Sequence, residues 1–308
     1  MIIEPVIGAV YRGRFAPSPT GPLHFGSLVS ALGSYLDAKV HGGEWLVRIE
    51  DVDKLRCRPE HEAAILRTLE RYGFRWDGAI MRQSERTEAY REALEGLLRK
   101  ALIFGCSCTR KEIGDSTPGV DGASIYPGIC RNSLPDGNKA RSCRIRVPDR
   151  DISFVDEVQG VLTQNLARDV GDFVVLRADG LFTYQLAVVV DDAEQKVNHI
   201  VRGADLLDST PRQLFLQQSL GLPPPQYAHL PVAVNEAGKK LSKQTLAVPL
   251  IDESPVPALW QALNFLGQHP PQELGKASLG EIWEWAMAHW SLSLVPKSRT
   301  AKINSEGI

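Results

Sequence analysis

The 308-residue chain has no long hydrophobic run: its longest, Leu186–Val190, falls far short of the ~20 residues a membrane helix needs. The N-terminus lacks the basic, then apolar, then small-residue order of a secretory leader. Cysteine is scarce and odd in number, five in all, which excludes a fully paired disulfide framework and suits a reducing compartment. A cytoplasmic location without a membrane partner is expected. Charge of one sign is also missing: 35 Lys and Arg stand against 37 Asp and Glu, a net charge of −2. A surface that is basic all over is excluded, so any polynucleotide must be held by a local patch. With 43% hydrophobic and 23% charged residues the chain is not disordered, and its length allows one large or two modest domains.

What is present is concentrated between residues 11 and 30. A short strand, Val10–Phe15, runs into a Pro-rich turn, Ala16–Pro22. His24-Phe25-Gly26-Ser27 then opens an apolar segment that reads as a helix to Val40. Strand, tight loop and helix N-terminus make an anion site, because unpaired backbone N–H groups and the positive end of the helix dipole face the loop. Gly26 leaves room for a flat group against the backbone, and His24 can donate to a phosphate oxygen. Glu44–Asp51 reads as a second strand. The strand–helix–strand order implies parallel pairing, with ligands at the carboxyl ends of the strands, where Arg14 and Glu50–Asp53 fall.

Amphipathic helices are expected over Pro59–Gly73 and Thr87–Leu102, the second burying Tyr90, Leu94, Leu97, Leu98 and Ile103. Cys106, Cys108 and Cys130 lie within 25 residues, a density that favours metal over disulfide; on residue type alone the fourth ligand is Cys143 or water. Short strands follow at Arg144–Pro148, Ile152–Val155 and Asp172–Arg177, and Ser209 with Pro211 starts a helix to Leu220. A basic loop, Lys239-Lys240-Leu241-Ser242-Lys243-Gln244, comes after Gly238. Beyond Leu250, helices are expected at Pro255–Gly267 and Ser278–Trp290, with a frayed polar tail from Pro296.

HFGS and KLSK together resemble the HIGH and KMSKS signatures of class I aminoacyl-tRNA synthetases, and RFAPSPTGPLHFGS is similar to the glutamyl branch of that class. Arg48-Ile49-Glu50-Asp51-Val52-Asp53, the Tyr184–Asp192 segment and Arg202-Gly203 also resemble that branch. The resemblance implies that His24, Gly26 and Lys243 are catalytic, and that ATP meets His24, Gly26, Lys240, Ser242 and Lys243. It implies glutamate held by Arg14, Phe15, Ala16, Pro17, Ser18, Glu50, Tyr184 and Arg202, with Glu50 on the amine, Tyr184 near a carboxylate and the two guanidinium forks on the two carboxylates. Val188 stands where the branch commonly has Asn, which implies weaker binding of free glutamate. The C-x-C…Y-x3-C pattern of a subgroup implies one structural Zn²⁺ on Cys106, Cys108, Tyr126 and Cys130.

The fold implied is α/β: a Rossmann-type class I synthetase catalytic domain over residues 1–250, a zinc-binding insertion at about 104–150, and a short helical C-terminal region over 251–308 in place of an anticodon-binding domain. That organisation resembles the glutamyl-queuosine tRNA(Asp) synthetases. These activate L-glutamate with ATP and pass it to the queuosine of tRNA(Asp). The partners implied are that tRNA, glutamate, and ATP with Mg²⁺, on a monomer. Two alternatives are charging of the 3′ end of tRNA(Glu) and a non-catalytic paralogue that binds tRNA or glutamate. Arg110, Lys111, Arg131, Lys297, Arg299 and Lys302 are candidate RNA contacts.

Overall fold

A computed structural model describes residues 10–114, 117–120, 122, 124–236, 238 and 249–303. The chain opens with β1 (Arg12–Phe15), α1 (Phe25–Val40) and β2 (Glu44–Ile49), followed by α2 (Pro59–Arg71), β3 (Met81–Arg82) and α3 (Thr87–Arg99). β1, β2 and β3 pair in parallel, Arg14 opposite Leu46, as the strand–helix–strand order requires. Next come β4 (Ile103–Cys106), α4 (Arg110–Gly114), β5 (Ser142–Ile145), β6 (Asp151–Asp156), β7 (Gly160–Asn165), α5 (Leu166–Asp169) and β8 (Val174–Leu176). The chain re-enters the parallel layer with α6 (Tyr184–Glu194), β9 (His199–Gly203), α7 (Thr210–Leu220), β10 (Gln226–Leu230) and β11 (Val232–Val234). It finishes with α8 (Pro255–Phe265), α9 (Leu279–His289) and β12 (Thr300–Lys302).

The second group of strands runs β7-β6-β10-β9, and β9 lies beside β1. There the Asn198 N–H donates to the Arg12 carbonyl at 3.1 Å, and the Asn198 side-chain oxygen accepts from the Arg12 N–H at 2.8 Å. The chain therefore builds outward from β1 in one direction and returns from β9 in the other. The crevice between β1 and β9 is a topological switch point, where the loops leaving adjacent strands part and leave room for a ligand.

Two apolar cores flank this layer. Ala31, Leu32, Leu36 and Ala38 of α1 are fully buried, because the helix is packed on one side by the sheet and on another by α8 and α9. Gly33 permits the close approach: a Cβ there would sit 2.5 Å from Leu230 of β10. α9 is docked by Trp283, whose indole N–H donates to the Tyr72 carbonyl at 2.9 Å and whose ring meets Tyr35 and Phe74 edge-on. The other core gathers α3, α6 and α7 over β6, β9 and β10 and includes Leu97, Leu186, Val188 and Leu216.

Three sequence expectations change. Leu98 is 48% exposed, since α3 presents Tyr90, Leu94 and Leu97 inward and stops at Arg99; Ile103 is buried from β4 instead. The helix expected to reach Leu102 ends at Arg99, because the left-handed Ala101 (φ +56°) turns the chain toward the strand β4. The polar tail is partly ordered: Thr300–Lys302 pairs in parallel with Val232–Val234.

One buried acid ties α3 to α6. Asp191 is fully buried and accepts from Gln83 (2.9 Å), Arg86 (2.8 Å) and the Tyr90 hydroxyl (2.7 Å). Asp191→Ala strands three donors at once. The expected cost is about 3–5 kcal/mol, read as a lowered urea midpoint at unchanged slope.

Candidate active site

At the carboxyl ends of β1 and β9 lies a cleft of about 250 Å³. β1 contributes Arg14 and Phe15, the following turn Ala16, Pro17 and Ser18, and α1 brings His24 and Gly26. Glu50 enters from the end of β2, Tyr184 from the first residue of α6, and Arg202 from β9. The described residues that the family motifs single out, from Arg14 to Arg202 and so spread over more than half the chain, thus face one space. Lys240, Ser242 and Lys243 lie outside the described residues. Val188, on α6, is buried in the second core and does not line the cleft.

Each side chain has a physical reason for its place. The Pro-rich turn is fastened to the end of β2 by the Glu50 N–H donating to Pro17 at 3.0 Å, and further on by the Arg58 N–H donating to Pro19 at 3.1 Å. His24 is the extended N-cap of α1 (φ −131°, ψ 176°); its carbonyl accepts the N–H groups of Ser27 and Leu28. The first turn of α1 carries no acidic side chain, so the positive end of the helix dipole is left for an incoming anion.

Behind the cleft runs a network of buried charge. Asp192 accepts from the Arg14 Nε at 3.1 Å and pairs with Arg48 at 2.8 Å; all three are nearly or wholly buried. Burial works to raise the Asp192 pKa, but Arg14 and Arg48 outweigh it and hold the group ionised. Arg48 also reaches Gln195 (2.8 Å) and Glu50 (3.6 Å). Glu50 behaves differently: burial pushes it up to about 7 although Arg48 and Arg14 favour its charge. Across the cleft, Arg202 donates to the Tyr184 hydroxyl at 3.4 Å and to the Thr210 hydroxyl at 2.9 Å. With Glu50 ionised, three guanidinium charges (Arg14, Arg48, Arg202) face two carboxylates (Glu50, Asp192), leaving one positive charge. That balance complements a ligand with two carboxylates and one ammonium group.

Sequence reasoning missed Asp192 as the group that orients Arg14, and it missed Asp205, which lines the cleft. The Asp191-Asp192 pair closing an apolar helix was the available signal, since buried acids need buried cations. Gly203 is explained in the same place: a Cβ there would lie 2.5 Å from Asp205 Oδ1.

A second constellation lies in the insertion. Cys106, Cys108 and Cys130 bring their sulfurs within 4.8 Å of one another. Cys108 Sγ is 3.5 Å from Cys130 Sγ, and the Tyr126 hydroxyl is 3.6 Å from Cys106 Sγ and 3.7 Å from Cys108 Sγ. A tetrahedral metal with bonds of about 2.3 Å to sulfur has edges of about 3.8 Å, so the four atoms suit one ion. The Cys130 N–H donates to the Tyr126 oxygen at 2.7 Å, stabilising negative charge on it. Arg144 donates to Cys106 Sγ at 3.4 Å and lies over the Tyr126 ring at 4.1 Å, a positive charge that would offset thiolates around a bound ion. Cys143 packs toward the second core instead of joining this group.

Of the candidate RNA contacts, Arg131 is committed elsewhere: it pairs with the buried Asp172 and donates to the Val147 carbonyl at 3.1 Å, fastening the insertion to the body. Arg299 pairs with Asp208 and Lys302 with Glu236, both at 3.2 Å and both exposed. No helix among the described residues is long and apolar enough to cross a membrane.

Comparison with known proteins agrees with this geometry. Residues 10–257 match the family model of class I tRNA synthetases (E and Q), catalytic domain. The glutamyl-Q tRNA(Asp) synthetase of Aromatoleum aromaticum is 58% identical over 292 residues, covering 95% of this chain and 92% of that protein. That of Dechloromonas aromatica is 57% identical over 289 residues, covering 93% and 96%. Among solved structures, a glutamate-tRNA synthetase from Elizabethkingia anophelis superposes with a TM-score of 0.81 at 28% identity, covering 97% of this chain and 69% of that one.

Proposed function

Since the chain belongs to the class I glutamyl and glutaminyl tRNA synthetase family, and within it to the glutamyl-Q tRNA(Asp) synthetases, we propose that it activates L-glutamate with ATP and transfers it to queuosine in the anticodon of tRNA(Asp). The observation that carries this reading is the single cleft in which Arg14, Arg202 and Glu50 lie beside the open N-terminus of α1. A dicarboxylic amino acid and a nucleotide triphosphate can be held there side by side.

In the first step the α-carboxylate oxygen of glutamate attacks the α-phosphorus of ATP in line, and pyrophosphate leaves. The chain supplies position and charge, not a nucleophile. Arg14 and Arg202 hold carboxylates and Glu50 holds the ammonium group, with Tyr184 beside Arg202. His24 and the α1 amides near Gly26 take the developing charge on the phosphates; the motif adds Lys240, Ser242 and Lys243 from the basic loop. Mg²⁺ bound to the incoming ATP would supply further neutralisation of the phosphate charge. In the second step a hydroxyl of the cyclopentenediol of queuosine attacks the adenylate carbonyl, and AMP leaves.

We assign the catalytic work to residues 1–250. The insertion at about 104–150 would be held by one Zn²⁺ on Cys106, Cys108, Tyr126 and Cys130, and α8 and α9 of the C-terminal region buttress α1. With every ligand position taken by protein, the ion supplies folding energy.

The test is incubation with ATP, labelled glutamate and tRNA(Asp) with or without queuosine. Label is expected only on the queuosine-containing tRNA, and nuclease mapping should place it in the anticodon loop. Label at the 3′ end of tRNA(Glu) would select the first alternative. Absence of glutamate-dependent pyrophosphate exchange would select the non-catalytic one.

A further inference from the structure

Asp156, His229 and Arg202 form a row across three neighbouring strands, β6, β10 and β9. His229 and Arg202 are direct register partners, and both Asp156 and His229 are buried. The Arg202 Nε–H points at His229 Nε2 at 3.0 Å, and the Thr210 hydroxyl is 3.2 Å from the same nitrogen. On the other side of the ring, His229 Nδ1 lies 2.6 Å from Asp156 Oδ2. A guanidinium nitrogen can only donate, so Nε2 must carry a lone pair, and the ring proton must sit on Nδ1 facing the carboxylate.

We infer that Asp156 and His229 are positioning residues for Arg202: the carboxylate fixes the imidazole tautomer, and the tautomer fixes the plane of the guanidinium that faces glutamate. The inference rests on Arg202 being a carboxylate-binding group. The ring is held neutral, since burial lowers its pKa to about 4 against the opposing pull of Asp156. The carboxylate itself cannot rotate freely. Its Oδ1 accepts the backbone N–H groups of Val158 (3.1 Å), Gln159 (2.8 Å) and His229 (3.1 Å), leaving Oδ2 for the ring.

That arrangement makes Asp156→Asn informative. Three backbone donors will keep the amide oxygen at the Oδ1 position, so the NH₂ group must face Nδ1. The ring then moves its proton to Nε2, and an N–H confronts the Arg202 Nε–H. Arg202 swings out of plane while the ATP site is untouched. The KM for glutamate in pyrophosphate exchange should rise about tenfold to a hundredfold, the worth of one hydrogen bond to a charged group, with the KM for ATP within about twofold.

The test pairs kinetics with ¹⁵N NMR of labelled histidine. In the unaltered protein at pH 7, His229 should show a protonated Nδ1 and an unprotonated Nε2; the reverse, or an imidazolium, overturns the inference. In Asp156→Asn the tautomer should invert together with the rise in glutamate KM; inversion without that rise, or no inversion, also overturns it. If Asp156→Asn fails to fold, Thr210→Val replaces it. Loss of the hydroxyl shared by Arg202 and His229 should give the same split in KM, and an unchanged glutamate KM rejects the proposal. Arg202→Gln separates the underlying reading: if it leaves glutamate KM unchanged, Arg202 is not a carboxylate site, whatever tautomer the spectrum reports.

Discussion

Glu50→Gln is expected to lower kcat/KM for glutamate in pyrophosphate exchange by about 10²–10³, because a buried ammonium group left without its counter-charge costs several kcal/mol. The KM for ATP should change little, since Glu50 lies at the end of β2 and the open turn of α1 lies across the loop from it. The unaltered enzyme should also carry a pH signature of this residue. Burial raises the free Glu50 pKa to about 7. A protonated carboxyl offers the ammonium no charge, so log kcat/KM should fall by about one unit per pH unit below 7 and level off above it. In Glu50→Gln that limb should vanish. The folded protein binds this proton more tightly than the unfolded chain. The group's contribution to stability is therefore greatest below about 4.5 and declines as pH rises through 7, where bound glutamate should restore it. A thermal-shift series with and without glutamate measures this directly. A flat pH–rate profile in the unaltered enzyme would remove Glu50 from the amine site.

Removing the proposed metal from the insertion should have the second large effect. Chelation, or Cys130→Ser, is expected to take zinc content from one per chain to none. It should lower the melting temperature by roughly 10 °C, on the basis of about 4 kcal/mol and 2–4 °C per kcal/mol for a chain of this size. Proteolytic cleavage should then begin within residues 104–150. Glutamate activation at low temperature should persist, because the cluster hangs on β4 and its following loops, whereas the cleft is built from β1, α1, β2, α6 and β9. An unchanged melting curve after complete chelation would show that the four side chains hold their positions without an ion. Cys143→Ser should leave zinc content unaltered, since that thiol packs elsewhere.

The legible parts of this molecule were local in sequence. β1, the Pro-rich turn and α1 are contiguous, and each declares itself by residue type. The Cys-x-Cys pair and the downstream Tyr and Cys, joined to the family pattern, picked out four side chains that the insertion brings together. What escaped was long-range. Nothing in the neighbourhood of Asp192 says that it meets Arg14, 178 residues away, and nothing near His229 announces Asp156, 73 residues away. β12 escaped for another reason: Thr300–Lys302 has no strand pattern of its own and is a strand because β11 offers it an edge. Leu98 misled because apolarity alone cannot say where a helix stops when a left-handed residue follows two positions beyond its end.

The pairing of β1 with β9 bears on how the protein is made. Arg12 and Asn198 are 186 residues apart, so the central strands of the layer cannot meet until most of the chain has been synthesised. Until then β1 waits with one edge bare, a template for mispairing, and closing so long a loop is slow. Fragments that stop short of β9 should therefore accumulate as inclusion bodies, and the nascent chain should depend on chaperones that shield an unfinished sheet.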